Sequence, residues 1–573
     1  MNTKPPLRPD MMVRQIAADY PACRPVLLRH GEPERPGIKL GHLEPLTQFA
    51  KRQGIECDAL LRELAVAANV ATAPDSAAAR NVHRPFIVAA LAITLSIGAG
   101  WGGWLLWQIG RAENFEAVAD GAIVAHGEAQ LWGFIVLFVM GISLRHLPVA
   151  TSGPPISTRL AHGVLALLLG AITAAFAWSL FDNRLAWLGP ASGIAAAAAA
   201  LTYLAIVSRY SAQKIRAVSA RFIFCSAGWL CAWALYTLWL RTAFSAAGPG
   251  MYPEPVRLRL LEFAAFGFTI SSIYGFGLRL LPGFLRLGSP NERLMELAFW
   301  LHNLGAAALV GFGELPWARA IAAAAIALGA VCYVLGMRGF RGRAPAAQVD
   351  REVAMRPEIG ERFLRRYMQL AFVWLLVSLV MLAASGARSA WYSLGESHAF
   401  IGAARHALTV GFMTTLILGV AQRLLPVLGQ TLLAWPPLVR PIFFFIAVGN
   451  LWRVATELAT DFWPAAYRVM PFSALFELTA LSLFAANCLR TMWPPRDRLQ
   501  REGAVTEKSS LKVLLAEHPA IEDELVRWGF AYIARVRAVP GELTIGSFAR
   551  GEGQSSRETV ERINAWLTRG ASG

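Results

Sequence analysis

The sequence is poor in charged residues and in cysteine. Only 16% of its 573 residues are Asp, Glu, Lys or Arg, whereas a soluble protein carries about a quarter. So few charges exclude a soluble multidomain enzyme, because its surface could not be kept in water. The six cysteines lack the paired spacing of a metal knuckle, and Cys225 and Cys231 lie in an apolar run where packing is expected.

Long apolar runs dominate what is present. Hydrophobic residues make up 55% of the chain, the mean hydropathy is +0.44, and a bilayer-spanning helix needs roughly 20 such residues. The sequence therefore predicts an all-α membrane protein with twelve transmembrane helices. We number them α1 to α12, and they are predicted over residues 84–109, 125–147, 157–181, 185–208, 220–245, 256–283, 292–313, 316–337, 364–386, 398–426, 436–460 and 466–492.

The net charge of the chain is +16, and the charged residues are unevenly distributed among the loops between these helices. Basic residues fill 209–221, and 338–366 holds eight Arg against four acidic residues, whereas 110–125 holds three acidic residues against one Arg. Cytoplasmic loops of membrane proteins collect Arg and Lys. The charge pattern therefore places both termini in the cytoplasm, and it favours a lipid bilayer over nucleic acid as the partner of the basic residues.

Three of the helices share one motif. It reads GFIVLFVMGISLRHLP from Gly133, GFTISSIYGFGLRLLP from Gly267 and GFMTTLILGVAQRLLP from Gly411. Each copy has a second Gly eight residues on, an Arg at twelve and a Pro at fifteen. The copies lie 134 and 144 residues apart, on α2, α6 and α10. This spacing predicts three four-helix repeats.

Ionisable residues precede the motif in every copy. Glu128, Glu262 and His406 lie five residues before the Gly-Phe pair, and His126 lies seven before it. These positions fall in the periplasmic half of the predicted helices, where ionisable groups are costly and are functional candidates. Glu128 and Glu262 are predicted as catalytic proton carriers, with carboxyls that are merely protonated and hydrogen-bonded between helices as the alternative.

Two segments around these residues resemble a known family. The stretches HGEAQLWGF (126–134) and RHALTVGF (405–412) look like the signature segments of the NnrS family, although Glu128 stands where that family usually has a second His. The resemblance implies a bacterial inner-membrane protein that contains haem and copper and is linked to nitric oxide metabolism and nitrosative stress. It also implies that His126 and His406 bind haem or copper.

Three four-helix units are also the arrangement of the haem–copper oxidases and nitric oxide reductases. Those enzymes bind haem between their second and tenth helices and a second metal beside the sixth, seventh and tenth. By this analogy His398 on α10 joins the haem candidates. His398, His302 on α7 and Glu262 on α6 join His126 and His406 as candidate metal ligands, for copper or non-haem iron.

The two ends of the chain resemble each other. YPACRPVLLRHG (20–31) matches HPAIEDELVRWG (518–529), and FAKRQG (49–54) matches FARGEG (548–553). Both look like the small helical domain that precedes many iron–sulfur-repair proteins. The predicted organisation is a helical cytoplasmic domain over 1–80 without a secretion signal, a membrane domain over 84–492, and a second helical cytoplasmic domain over 504–573.

The resemblance therefore implies a haem protein that binds nitric oxide, and it leaves open whether the protein also reduces NO to N2O as a nitric oxide reductase-like oxidoreductase. Two alternatives remain open, a transporter for a small molecule or metal and a membrane sensor of haem or redox state. Reduction would need an electron donor, which the sequence does not identify. Formation of a homo-oligomer is also left open.

The predicted topology has a direct test. With an epitope tag at each end of the chain, protease added outside spheroplasts should remove neither tag, because both termini are cytoplasmic. A cleavage site inserted in 110–125 should be cut under the same conditions. Loss of an end tag before the membrane is permeabilised would contradict the topology.

Overall fold

A computed structural model describes most of the chain. The described residues are 6–31, 43–70, 81–151, 155–211, 215–285, 287, 289–337, 361–392, 397–429, 433–493, 505–536, 538–540 and 543–570. Within them the secondary structure is helical and contains no strand. The predicted domain boundaries at 80 and 504, and most of the basic loop 338–366, lie outside the described residues.

All twelve predicted membrane helices are present. By length and composition, each is able to cross a bilayer. Their bounds, α1 to α12, are His83–Ala112, Asp120–Pro148, Thr158–Phe181, Leu188–Ser211, Val218–Ala243, Glu254–Pro282, Glu292–Phe312, Pro316–Gly336, Phe363–Trp391, His398–Gly429, Pro436–Ala459 and Ala466–Met492. The motif helices α2, α6 and α10 are the most buried, which puts them at the centre of the bundle.

Each motif helix widens into a π-helix at the same point of the motif. The π segments are Ala129–Val136, Phe263–Thr269 and Ala407–Thr414, so each contains the Gly-Phe pair. A fourth π segment, Thr94–Gly98, lies in α1. A π segment shifts main-chain hydrogen bonds from the i+4 to the i+5 N–H, and in a bilayer any carbonyl left without a donor must be satisfied by another protein group.

The motif glycines are contact points for α1, α5 and α9. A Cβ added to Gly133, Gly267 or Gly411 would meet Ile93, Trp229 or Trp374, the first atom of each lying within 3 Å. Small residues at such crossings allow membrane helices to approach closely.

The second glycine of each motif also contacts the partner helix. The residue that it contacts lies seven positions before the residue that the first glycine contacts. Gly141 lies against Phe86, Gly275 against Ile223 and Phe222, and Gly419 against Tyr367. The partner helices therefore cross the motif helices in one register.

The two ends of the chain form separate hydrophobic clusters with matching backbone features. One cluster runs from Leu7 to Ala65, and the other is built mainly from Val505 to Ile563. Both have an isolated bridge, Met12 to Pro45 and Ser510 to Thr544. Glycines of positive φ also recur, with Gly31 and Gly529 both at 92°. The similarity of the two sequences therefore extends to their local structure.

A buried ion pair joins the two ends. Arg14 pairs with Glu522, and the two side chains are only 0% and 1% exposed. The guanidinium also donates to the carbonyls of Ile533 and Val536. Leu43 packs in the C-terminal cluster, and its amide donates to the second oxygen of Glu522 at 3.1 Å. The ends are thus docked through a charge pair that water does not reach.

Replacing one partner of this pair should undock the ends. Arg14→Ala leaves the Glu522 carboxylate buried without its cation, which costs about 3–5 kcal/mol. Arg8→Ala is the matched control, because the Arg8–Asp10 pair is exposed and is worth about 0–1 kcal/mol. Urea titration of energy transfer between dyes on the two ends measures the difference. Equal effects of the two replacements would show that the buried pair does not hold the ends together.

Candidate functional site

His126 lies on α2, just before the π segment, and its ring packs on α1. Its Nδ1 lies 3.0 Å from the carbonyl oxygen of Gly98, at the end of the α1 π segment. The ring sits directly over Gly102, where an added Cβ would lie 2.3 Å from its Cε1. A carbonyl only accepts hydrogen bonds, so Nδ1 carries the proton and Nε2 keeps its lone pair.

His406 occupies a comparable position before the α10 π segment. Its Nδ1 lies 3.0 Å from the carbonyl oxygen of Gly402 and 3.3 Å from Oε2 of Glu457 on α11. The carboxylate approaches α10 over Gly402, where an added Cβ would be 2.2 Å from Oε1. His406 therefore also has its Nδ1 occupied, in this case by a carbonyl and a carboxylate.

Two further charged residues complete a buried group. Arg453, one turn before Glu457 on α11, donates to its Oε1 at 3.2 Å. Glu477 on α12 packs on Gly449, and its charge interacts with His406, Arg453 and Glu457. His126 likewise interacts electrostatically with His406 and Arg453. We call these five residues the histidine cluster: His126, His406, Arg453, Glu457 and Glu477.

Sequence reasoning identified the two histidines of the cluster but missed its three charged residues. Arg453 and Glu457 carry the one available signal, an i, i+4 pair of opposite charge inside an apolar helix. Glu477 is a lone carboxylate in α12 with a similar cost of burial. These residues lie outside the repeated motif, so comparison of its copies did not reveal them.

The cluster has the chemistry of a metal-ligand pair. Metal-binding histidines usually give their other ring N–H to a carbonyl or carboxylate, which fixes the tautomer and orients the ring. Both His126 and His406 are held in this way, and within the described residues neither Nε2 takes part in a hydrogen bond. In the same part of the chain no three His, Cys, Asp or Glu side chains form a group that could hold a metal ion.

His398 lies at the N-terminal end of α10. Its side chain is exposed, and its ring packs on Phe115 in a tilted arrangement with centroids 4.6 Å apart. Its charge interacts with Glu457, so it lies near the cluster. It remains a candidate ligand at the edge of the histidine cluster.

His302 belongs to a different part of the bundle. Its ring is fully buried, and Nε2 donates to the Phe266 carbonyl of the α6 π segment at 2.8 Å. The ring also packs beside Phe222 and Tyr274. A π segment displaces such a carbonyl, so His302 supplies it with a donor. The structure does not bring His302 into the histidine cluster.

Glu128 faces away from His126 and forms an ion pair with α5. Its Oε2 lies 2.7 Å from Nη2 of Arg241, whose Nη1 donates to the Ser192 hydroxyl on α4 at 2.9 Å. The Arg241 side chain is only 2% exposed. Sequence reasoning anticipated that a membrane carboxylate needs a partner but did not identify Arg241.

Glu262, at the equivalent position of α6, has no such partner. Its side chain is buried and lines a cavity between α6, α9 and α10. Arg259 and Arg319 act on it electrostatically, but within the described residues its carboxyl forms no hydrogen bond. The two predicted proton carriers therefore have different surroundings.

The comparison with protein families concerns the membrane-spanning part of the chain. The family model for the NnrS protein matches residues 78–496, which span all twelve helices. The chain belongs to the NnrS family. This family is linked to the nitric oxide response. No curated protein matches the chain significantly.

For this NnrS protein, the Glu128–Arg241 pair should be structural. Glu128→Leu leaves the guanidinium buried without its anion and should lower the free energy of unfolding by about 3–5 kcal/mol. Adding Arg241→Met removes the uncompensated charge and should restore most of the loss. Unfolding in detergent mixtures measures both variants. A double variant no more stable than Glu128→Leu alone would contradict the assignment.

Proposed function

We propose that this NnrS protein is a haem-containing membrane protein that binds nitric oxide and reduces it. One observation carries the proposal. His126 on α2 and His406 on α10 interact electrostatically within the histidine cluster, and both have Nδ1 bonded and no hydrogen bond to Nε2 among the described residues. A haem needs only one or two protein ligands, and neutral imidazole is a common one.

The charges of the cluster also suit a haem. Nε and Nη1 of Arg453 are buried without a hydrogen-bond partner in the described residues. Arginine forms strong charge-assisted hydrogen bonds with carboxylates. A haem carries two carboxylates, so Arg453 would bind one of them while His126 and His406 supply the imidazoles. Copper or non-haem iron would need further ligands, for which His398 is the nearest candidate.

Bound haem would supply an iron that binds nitric oxide and exchanges electrons. Glu457 would hold the His406 ring, because its carboxylate and the Gly402 carbonyl share the Nδ1 proton. Conversion of two NO to N2O and water consumes two electrons and two protons. Glu262 is the better proton carrier of the two predicted carboxylates, since the Glu128 carboxylate is held in an ion pair with Arg241 whereas Glu262 lines the cavity.

The surrounding bundle would be a pseudo-threefold arrangement of four-helix repeats, as in the haem–copper oxidases. Two features support this. The π segments begin at Ala129, Phe263 and Ala407, with the same 134- and 144-residue spacing as the motif. The first helices of the predicted repeats, α1, α5 and α9, cross the motif glycines in one register.

The protein would lie in the inner membrane with both ends in the cytoplasm. Twelve crossings return the chain to the side from which it started, and the buried Arg14–Glu522 pair requires both ends on one side. The basic loops indicate which side that is. The two docked ends would then form one helical unit beneath the bundle.

Haem content tests the proposal. His406→Ala and His126→Ala each remove an imidazole, so the haem-to-protein ratio of purified protein should fall at least severalfold and the Soret band should shift. His302→Ala is the control, because this buried histidine binds the Phe266 carbonyl instead. Full haem occupancy with an unchanged spectrum in both test variants would refute the ligand assignment. Wild-type protein without haem would favour the transporter.

A further inference from the structure

A small apolar cavity lies where α6, α9 and α10 meet. Its volume is about 60 Å³. Apolar side chains from all three helices form most of its wall, among them Leu261, Phe266, Leu382 and Leu408. A water-sized molecule needs about 10–15 Å³ by this measure, so the space suffices for about four such molecules.

The polar groups of the wall do not make it an anion site. The Arg319 guanidinium donates to the Gly313 carbonyl at 2.8 Å, and Arg405 pairs with Glu254 at 3.4 Å. The remaining charged group is the carboxyl of Glu262, which repels anions. The wall therefore favours an uncharged occupant.

The corresponding junction of α2 and α5 is filled. There Trp132 stacks on Trp233 with ring centroids 4.0 Å apart, and Arg241 pairs with Glu128. The space left beside these residues is about 10 Å³. The two junctions share a register but differ in how much of the interior their side chains occupy.

Two replacements on α9 account for the difference. Trp229 and Trp374 hold equivalent positions over the motif glycines. Four residues further on, α5 has Trp233 whereas α9 has Ser378. Twelve residues further on, α5 has Arg241 and α9 has Gly386.

Gly386 is required for a second reason. An added Cβ would lie 2.8 Å from main-chain atoms of Ala320 and Pro316 on α8. A side chain at this position is therefore excluded by the close packing of α8 against α9. The cavity is lined by a serine at the position where the equivalent junction has a tryptophan, whereas the glycine allows the close packing of α8.

We propose that this cavity binds small uncharged gas molecules, and nitric oxide in particular. Cavities with apolar walls accept apolar guests such as xenon. A site for more than one diatomic molecule beside Glu262 would hold the two NO that reduction consumes next to a proton carrier. The choice of nitric oxide rests on the proposed function, whereas the capacity for a small apolar gas rests on the cavity alone.

Xenon binding followed by ¹²⁹Xe NMR in nanodiscs tests the cavity. Wild-type protein should show saturable binding, and Ser378→Trp, which restores the side chain of the filled junction, should weaken it at least tenfold. Val380→Trp on the same helix is the matched control, because Val380 is 65% exposed on the outside of the bundle. Equal xenon binding by the two variants, or none by wild type, would overturn the proposal.

A milder variant and a competition complete the test. Ser378→Leu also fills the cavity, and its lost hydroxyl bonds only to the Leu375 carbonyl of its own helix, so it should fold where Ser378→Trp does not. Nitric oxide should displace xenon from wild-type protein, and failure to do so would overturn the choice of gas. Xenon binding needs no haem, so this result is independent of the haem spectrum.

Discussion

The absence of water inside a bilayer is the constraint on which this structure depends. Every polar group placed there must find its partner within the protein. The π segments increase the demand, because they displace carbonyls from their usual donors at the centre of the bundle. The Gly98 carbonyl, at the end of one π segment, bonds His126, and the Phe266 carbonyl, inside another, bonds His302. Two histidines are therefore oriented by the same kind of backbone irregularity.

Whether such a histidine is a ligand or a packing residue depends on which ring nitrogen meets the carbonyl and on what surrounds the other. In His302 the distal Nε2 is used, and the ring is enclosed by Phe222 and Tyr274. In His126 and His406 the Nδ1 is used, and within the described residues Nε2 takes part in no hydrogen bond. Spacing along the sequence does not distinguish these cases, because it gives no information about which ring nitrogen is protonated or which helix packs beside the ring.

The helices themselves were predictable because hydropathy and length determine them locally. All twelve predicted helices are present, and the repeat located the three π segments without revealing their geometry. The partners of the ionisable residues were not predictable. Arg241 pairs with Glu128 and Glu457 pairs with His406 from another helix, and one sequence contains no record of such contacts. Glu128 and Glu262 share a register, yet within the described residues only Glu128 forms an ion pair with an arginine.

Such divergence at equivalent positions shows how one repeated unit can acquire different roles. An ionisable group placed inside the membrane, five residues before the motif, is energetically unfavourable in every copy. Each copy compensates for this in a different way. Arg241 neutralises Glu128, the carboxylate of Glu457 supports His406, and Glu262 faces a cavity with no partner in hydrogen-bond range among the described residues. The ion pair with Arg241 fixes the Glu128 carboxylate and stabilises the bundle. The other two copies leave Nε2 of His406 and the carboxyl of Glu262 without a hydrogen bond among the described residues, and the proposed chemistry uses these two groups together with His126.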